Sequence, residues 1–346
     1  MTTVRLTLQP ASAFGTPLLG EILFGQMCWA FVRLYGEERL ADLLEGYVDG
    51  RPFAVLSDAF PSGHVPLPTL PNYLWQDPAS ADMKYLKKKA WLPISALREA
   101  PHRWQQLALT DREVLEGGLR TTASVAHNTI NRMTMTTGTG QFAPYLKTQT
   151  WYNTGLPLEI YAVIDETRTS GEEIRAALEY VGLSGYGRDA SIGLGKFTIA
   201  ETHVPCDPEP TSRSRLALSS CVLAGEHGID AERTFYRIRT HFGRHGDRMA
   251  LTGKPFKRPV LAASAGAVLT YETKHDRPFA GQGIAGISPS QPEAVHQGYS
   301  PVCFKLPKWN GFSLKSERRL LAPPSGFIPR KVLASKLGGG LNQRSP

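Results

Sequence analysis

Long hydrophobic runs are missing from this sequence of 346 residues. No stretch approaches the roughly 18 consecutive apolar residues that a membrane-crossing helix requires, so none is expected. The opening residues, Met1-Thr2-Thr3-Val4-Arg5-Leu6, lack the basic-then-apolar order of a secretory leader. Cysteine is scarce. Cys28, Cys206, Cys221 and Cys303 are scattered, and no two stand at the short spacing of a zinc knuckle. This excludes an ordinary zinc site and any disulfide framework, and a reducing cytoplasm is the expected setting. Motifs of common enzymes are absent as well. There is no Gly-x-Ser-x-Gly elbow and no Gly-Lys-Ser/Thr of a Walker loop. His241 and His245 are four apart, but Phe242-Gly243-Arg244 stands between them, so no HExxH zinc pattern forms.

What is present is globular. Hydrophobic residues make up 41% and charged residues 20%, enough for a packed core. The length suggests about two domains. Basic residues number 39 against 31 acidic, a net charge of +8, which favours a polyanionic partner mildly. Much of that excess lies in the segment 311–346, which holds seven Lys/Arg and one Glu together with Pro323-Pro324 and Gly338-Gly339-Gly340. Such a composition reads as a flexible basic tail, about 309–346. The local motifs therefore have to carry the functional argument.

The first element is a strand, in which Val4, Leu6 and Leu8 alternate with Arg5, Thr7 and Gln9. A helix follows from about Glu21, with Leu23, Met27, Ala30, Phe31 and Leu34 on one stripe and Gly36 as its stop. A second short helix holds Leu40, Leu43 and Leu44. Residues 121–150, rich in Thr, Asn and Gly, read as a long hairpin. Residues 156–165 form a strand with Leu158, Ile160, Ala162 and Ile164 on one face. Ser170 and Glu173 make a capping box for a helix with Ile174, Ala177, Leu178 and Val181 on its stripe and Gly182 as its end. A glycine-rich loop then leads into a strand from Lys196 to Glu201. The order is a ferredoxin-like pattern with insertions. Residues 202–213 are a linker by composition. After it the chain starts again with a strand, Leu216 to Val222, a basic and helical piece with Arg233, Arg237 and Arg239, and strands near Val260–Leu261 and Val268–Tyr271. The expected fold class is α+β: two ferredoxin-like (RRM-like) domains in tandem, 1–205 and 214–308, with a β-hairpin thumb at about 121–150 and a glycine-rich loop at 185–197.

The loop Gly185-Tyr186-Gly187-Arg188-Asp189-Ala190-Ser191-Ile192-Gly193-Leu194-Gly195-Lys196-Phe197 is the most informative motif. Glycines allow close approach of a backbone to a phosphate, and their N–H groups can form an anion nest. Arg188, Ser191 and Lys196 would add side-chain contacts. The loop follows a helix and opens a strand, the reverse of a dinucleotide fingerprint. The plainer reading is a helix-to-strand connection, and the two weigh about equally. Asn128-Thr129-Ile130-Asn131-Arg132 could meet phosphates or base edges, although a solvent-facing polar ribbon is the simpler reading. Lys84, Lys87, Lys88 and Lys89, and likewise Lys254, Lys257 and Arg258, matter only if they border an RNA track. His64, His127, His241, His245 and His296 are candidates for acid–base chemistry, each more commonly a surface or structural histidine.

Taken in order, several segments resemble the RAMP superfamily of CRISPR proteins, and within it the Cas-five-like subunit, subunit four, of type III-A (Csm) effector complexes. The resemblance spans about residues 1–306. It rests on Phe14-Gly15-Thr16-Pro17-Leu18 leading into Leu23-Phe24-Gly25-Gln26-Met27-Cys28-Trp29-Ala30, then Leu56-Ser57-Asp58-Ala59-Phe60-Pro61-Ser62-Gly63. Asn128 to Arg132, Ala190 to Phe197 and His296-Gln297-Gly298-Tyr299 complete it. The resemblance implies a non-catalytic subunit that caps the 5′ handle of the CRISPR RNA, between the large polymerase-like subunit and the adjacent backbone subunit. It implies RNA contacts at Phe14, Gly15, Thr16, Asn128, Asn131, Arg132, Gly185, Gly187, Arg188, Ser191, Gly193, Gly195 and Lys196, and further along at Lys257, Arg258, His296, Gln297 and Tyr299. It implies a thumb, best matched by 128–150, that reaches the target RNA indirectly by wedging between guide and target. No cofactor, metal or membrane is implied. The tail has no counterpart in the family. A Cas-six-like guide-processing endoribonuclease with a His acid/base, and the Cas-five-like subunit of type III-B or III-D complexes, are the alternatives.

Overall fold

The computed structural model describes residues 1–75, 82–203, 212–251 and 253–307. The basic tail and Cys206 lie outside the described residues.

The chain begins with β1 (Thr2–Pro10), whose Val4, Leu6 and Leu8 are buried as their alternation requires. Helix α1 (Gly20–Tyr35) buries Leu23, Phe24, Met27, Ala30 and Phe31, and Leu34 at the edge of the stripe is exposed. Gly36, at φ 93°, ends it and opens α2 (Glu37–Leu44). Three short strands follow, β2 (Ala54–Leu56), β3 (Phe60–Pro61) and β4 (His64–Pro66), and then α3 (Met83–Leu86), β5 (Trp91–Pro93), α4 (Trp104–Leu107) and α5 (Asp111–Val114). The expected hairpin is β6 (Arg120–His127) paired with β7 (Tyr145–Tyr152). Next come β8 (Leu158–Ile164), α6 (Gly171–Ser184) and β9 (Phe197–His203).

The central sheet runs β2-β8-β1-β9 with antiparallel neighbours, Leu6 standing opposite Ile160, and β3 pairs with β8 beyond β2. Helices α1 and α6 pack on each other as the two crossing connections. This is the β-α-β-β-α-β order read from the sequence. The capping box is formed: the Ser170 hydroxyl accepts from Glu173 N–H at 3.2 Å, and the Glu173 carboxylate accepts from Ser170 N–H at 3.1 Å.

Two local expectations change. Gly182 does not end α6; the helix runs on to Ser184, with Gly185 as its cap. Gly182 instead marks a close approach, since a Cβ there would lie 2.2 Å from the Phe197 carbonyl oxygen of β9. Strand β8 is not half-exposed either. All seven of its residues are buried, because the face carrying Glu159 and Tyr161 is covered as well. Glu159 accepts from Ser62 Oγ at 2.7 Å and pairs with Arg5 at 3.5 Å, while Tyr161 packs edge-on against Phe304.

The cover over Tyr161 comes partly from the second part of the chain, whose strands are β10 (Ser214–Leu216), β11 (Ile238–His241), β12 (Val260–Ala263), β13 (Val268–Thr270), β14 (Phe279–Gly281) and β15 (Tyr299–Pro301). They pair as β10-β13, β11-β12 and β14-β15. Among the described residues 212–307 there is no α-helix, only a 3-10 turn at Asp247–Leu251, so the helical piece expected around Arg233 to Arg239 is extended chain and strand. Periodicity misleads there because the ladders are only three or four residues long. The cores are shared. Phe279 and Tyr299 lie in the cluster of α1, β1, β8 and α6, while Leu216, Leu218, Val268 and Leu306 join Phe60, Val65, Leu92 and Trp104 in another. No helix of the described residues is long and apolar enough to cross a membrane.

Candidate nucleic-acid interface

Three segments distant in sequence meet at the end of the central sheet: the turn 12–16, the loop 185–196 and the base of the hairpin. The turn lies between the other two. On one side Phe14 exchanges backbone hydrogen bonds with Thr150 of β7, at 2.8 and 2.9 Å. On the other, Gly195 N–H donates to the Ala13 carbonyl at 2.7 Å, Lys196 N–H to Ser12 Oγ at 2.9 Å, and Arg188 N–H to Thr16 Oγ1 at 2.9 Å. Tyr186 is the pivot. Its ring is fully buried, its hydroxyl donates to the Pro17 carbonyl at 2.7 Å, and it accepts from Leu19 N–H at 3.2 Å where α1 begins.

The loop needs its glycines for steric reasons. A Cβ on Gly195 would fall 2.1 Å from the Tyr186 carbonyl oxygen, and the residue sits at φ 73°. Gly185 (φ 102°), Gly187 (φ 75°) and Gly193 (φ 97°) share that conformational region, and Gly193 faces open space. Asp189 is held at φ 64° by ion pairs, from Lys147 of β7 at 2.7 Å and from Arg188 at 3.4 Å. The Arg188 guanidinium also donates to the Thr148 carbonyl of β7 at 2.5 Å. Arg188 and Ser191 are exposed, and among the described residues the N–H groups of Gly187, Ala190 and Ser191 have no hydrogen-bond partner. An exposed guanidinium, a hydroxyl and unengaged N–H groups on one loop are the means of holding a phosphate. The Lys196 ammonium is turned away and donates to the Leu183 carbonyl.

The hairpin projects from this junction. Its strands are largely exposed, and His127 stacks on Tyr145 with ring centres 5.6 Å apart. At its far end Asn128 and Arg132 are exposed, while Asn131 is spent on the turn: its Oδ1 accepts from Met133 N–H at 2.9 Å and its backbone pairs with Thr136. Met133 (93% exposed) and Met135 (76%) stand in solvent.

Other residues expected at RNA are placed differently. The Phe14 ring is buried edge-on against Tyr152. Gly15 and Thr16 remain at the junction, Thr16 as the acceptor for Arg188. His296, Gln297 and Tyr299 are interior. Tyr299 donates to the Tyr47 carbonyl at 2.6 Å, and Gln297 is fixed to the backbone of Leu56. The side chains of Phe14, His296, Gln297 and Tyr299 hold the fold and present nothing to a surface strand. Lys257 is half-buried, and burial lowers its pKa beside a Cys28 thiol that burial pushes up to about 12. Arg258 is exposed. Of the lysine cluster, Lys89 donates to the Gln106 carbonyl at 2.7 Å and Lys84, Lys87 and Lys88 are solvated.

A buried polar cluster under the start of α1 has no signal in the residue pattern. Glu21 pairs with Arg239 at 3.2 Å and His241 at 3.3 Å, and His241 stacks on His296. Burial opposes ionisation of Glu21, but the His241 hydrogen bond and the Arg239 charge prevail and hold its carboxyl below the ordinary range. Asp58 accepts from Gly20 N–H at 2.8 Å, capping α1 from another element, and burial followed by the nearby Glu21 charge raises its pKa to about 8. Burial, reinforced by the His241 charge, lowers His296 to about 4.

No protein-family model matches the sequence, and no curated protein does. Solved structures are similar. A chain of the Csm1–Csm4 cassette in complex with AMPPNP superimposes with a TM-score of 0.55 at 16% identity, over 89% of this chain and 100% of that one. A chain of the cassette in complex with pppApA gives 0.53 at 16%, with the same coverage. A chain of the Csm3–Csm4 subcomplex of the type III-A CRISPR-Cas interference complex gives 0.54 at 15%, over 87% and 99%. The component these assemblies have in common is Csm4. This chain shares its fold with those chains.

Proposed function

We propose that this chain is a non-catalytic, RNA-binding subunit of a type III-A CRISPR-Cas effector complex. It caps the 5′ handle of the CRISPR RNA and joins the large polymerase-like subunit to the adjacent backbone subunit, in the cytoplasm. The observation that carries the reading is the junction of turn, glycine loop and hairpin base in a chain with a Csm4-like fold. Single-stranded RNA is recognised by unstacked bases, 2′-hydroxyls and phosphates, and the loop offers N–H donors, Ser191 and Arg188 for these. The hairpin at 121–150, with Arg132, Met133 and Met135 at its solvated end, serves as the thumb between guide and target. Inserting it costs a few kcal/mol of unstacking, which the backbone contacts offset.

The engagement of the histidines supports a binding role. His241 is paired with Glu21, His245 meets Ser288 Oγ at 2.7 Å, His275 meets the Phe279 carbonyl at 3.0 Å, and His296 is buried. Co-expression with a CRISPR array, purification and sequencing of the bound RNA tests the proposal. RNAs sharing one 5′ handle are expected. Random cellular RNA, or cleavage of repeat RNA that is lost on His241→Ala, would overturn it.

A further inference from the structure

Charge is concentrated in a second place. Residues 236–261 hold seven Lys/Arg and one acidic residue, Asp247. With the equally basic 311–346 set aside, the remainder of the chain is net acidic. In the fold this segment is a β-ribbon. Strands β11 and β12 pair from Ile238–Ala263 to His241–Val260. The pairing then resumes, with Lys257 N–H donating to the Gly243 carbonyl, His245 N–H to the Pro255 carbonyl, and Arg244 opposite Phe256.

The two faces differ. Arg239 and His241 point inward to Glu21 and anchor the ribbon on α1. The outward residues are apolar and uncovered: Ile238 is 71% exposed, Phe242 75%, Leu261 66% and Phe256 66%. Around them stand Arg237, Arg244, Lys254 and Arg258, all exposed, and none is in an ion pair among the described residues. Arg244 lies over the Phe256 ring at 5.7 Å. The anchor at Glu21 stands on the helix that follows the turn carrying Thr16, the acceptor for the glycine loop.

We propose that this ribbon is a second, sequence-tolerant site for single-stranded RNA. Exposed rings offer stacking platforms to any base, and the unpaired cations track the phosphates. A polyanion with aromatic bases satisfies both features of the face, the apolar row and the cations that lack carboxylates. A protein partner would have to bring the carboxylates itself, which is why RNA is favoured. Arg258, which the family resemblance also implies at RNA, stands on this ribbon, but the proposal rests on the ribbon's own rings and cations and not on handle capping.

The test uses the full chain and a fluorescein-labelled oligouridylate of about eight nucleotides with no repeat-derived sequence, read by anisotropy from about 50 to 200 mM salt. Phe242→Ala with Phe256→Ala is expected to weaken binding about tenfold or more with the salt slope kept. Arg244→Ala with Arg258→Ala is expected to reduce the slope by about 1.4, roughly 0.7 for each lost phosphate contact. Both pairs of side chains are exposed, so circular dichroism and the urea midpoint should not move. Photocrosslinks from 4-thiouridine should fall within 236–261. Failure of the unaltered protein to bind, wild-type binding by both variants, or crosslinks confined to the glycine loop or hairpin would overturn the proposal. So would loss of a protein subunit from the assembled complex with oligouridylate binding unchanged. Because the probe lacks a handle, none of these results bears on handle recognition.

Discussion

The Gln297 side chain occupies both backbone groups of Leu56: its amide donates to the carbonyl at 2.7 Å and its oxygen accepts from the N–H at 2.9 Å. All four atoms are buried, so no water replaces a lost partner. The pair extends β2 sideways with a side chain in place of a strand, and it joins the second part of the chain to the first. Gln297→Leu therefore should destabilise the fold by about 2–4 kcal/mol, the cost of two stranded backbone groups. A lower urea midpoint would show this. Handle RNA affinity, corrected for the folded fraction, should be unchanged. A normal midpoint with weakened RNA binding would return Gln297 to the interface.

Gly182 provides a test in which two effects have opposite signs. Ala is favoured over Gly in a helix interior by about 1 kcal/mol. Here the added Cβ would meet the Phe197 carbonyl at 2.2 Å, a backbone atom that cannot move without shifting β9. Overpacking of this kind costs about 1–3 kcal/mol or more. Gly182→Ala should thus be destabilising, and a denaturation midpoint at or above wild type would show that α6 and β9 lie further apart.

Two buried groups, Asp58 and His296, set a pH dependence. Folded Asp58 keeps its proton to about 8, whereas the unfolded chain releases it near 3.8. Over that span the folded state holds more protons, so rising pH favours unfolding. His296 acts oppositely: its folded pKa of about 4 lies below 6.5, so the unfolded state holds more protons and stability rises with pH across that range. The two slopes cancel from about 4 to 6.5, and between 6.5 and 8 Asp58 acts alone. Stability should fall by about 2 kcal/mol across that upper window. Asp58→Asn can still accept from Gly20 N–H, and it should abolish the slope. Urea titrations at several pH values measure it, and an unchanged slope in the variant would assign it elsewhere.

Features set by neighbours in sequence were legible: the alternation of β1, the stripe of α1, the Ser170–Glu173 capping box and the hairpin. The glycine loop was legible as a loop out of place, after a helix and before a strand. What could not be read was partnership at long range. The polar-looking face of β8 is buried because residues far downstream cover Tyr161. His296, Gln297 and Tyr299 look like surface polar groups until Tyr47, Leu56 and His241 are brought to them. The second part of the chain was least legible, since its ladders are too short to show a period and part of its core is shared with the first part. Nothing in Lys147 or Asp189 alone suggests that they meet.

That meeting yields the last prediction. Asp189 faces Lys147 and Arg188, two cations placed where a phosphate track would run. Its carboxylate competes with RNA phosphate for both. Asn accepts the same left-handed backbone and can still accept a hydrogen bond from Lys147, so Asp189→Asn removes charge and keeps geometry. Handle RNA should bind about three- to tenfold more tightly at low salt, with a steeper salt dependence as the released cations engage phosphate. Lys147→Ala should do the reverse, flattening the slope by about 0.7. Anisotropy with a handle RNA over a salt series reads both. If Asp189→Asn binds more weakly, the ion pair acts by holding the hairpin to the loop, and its charge is not what limits RNA.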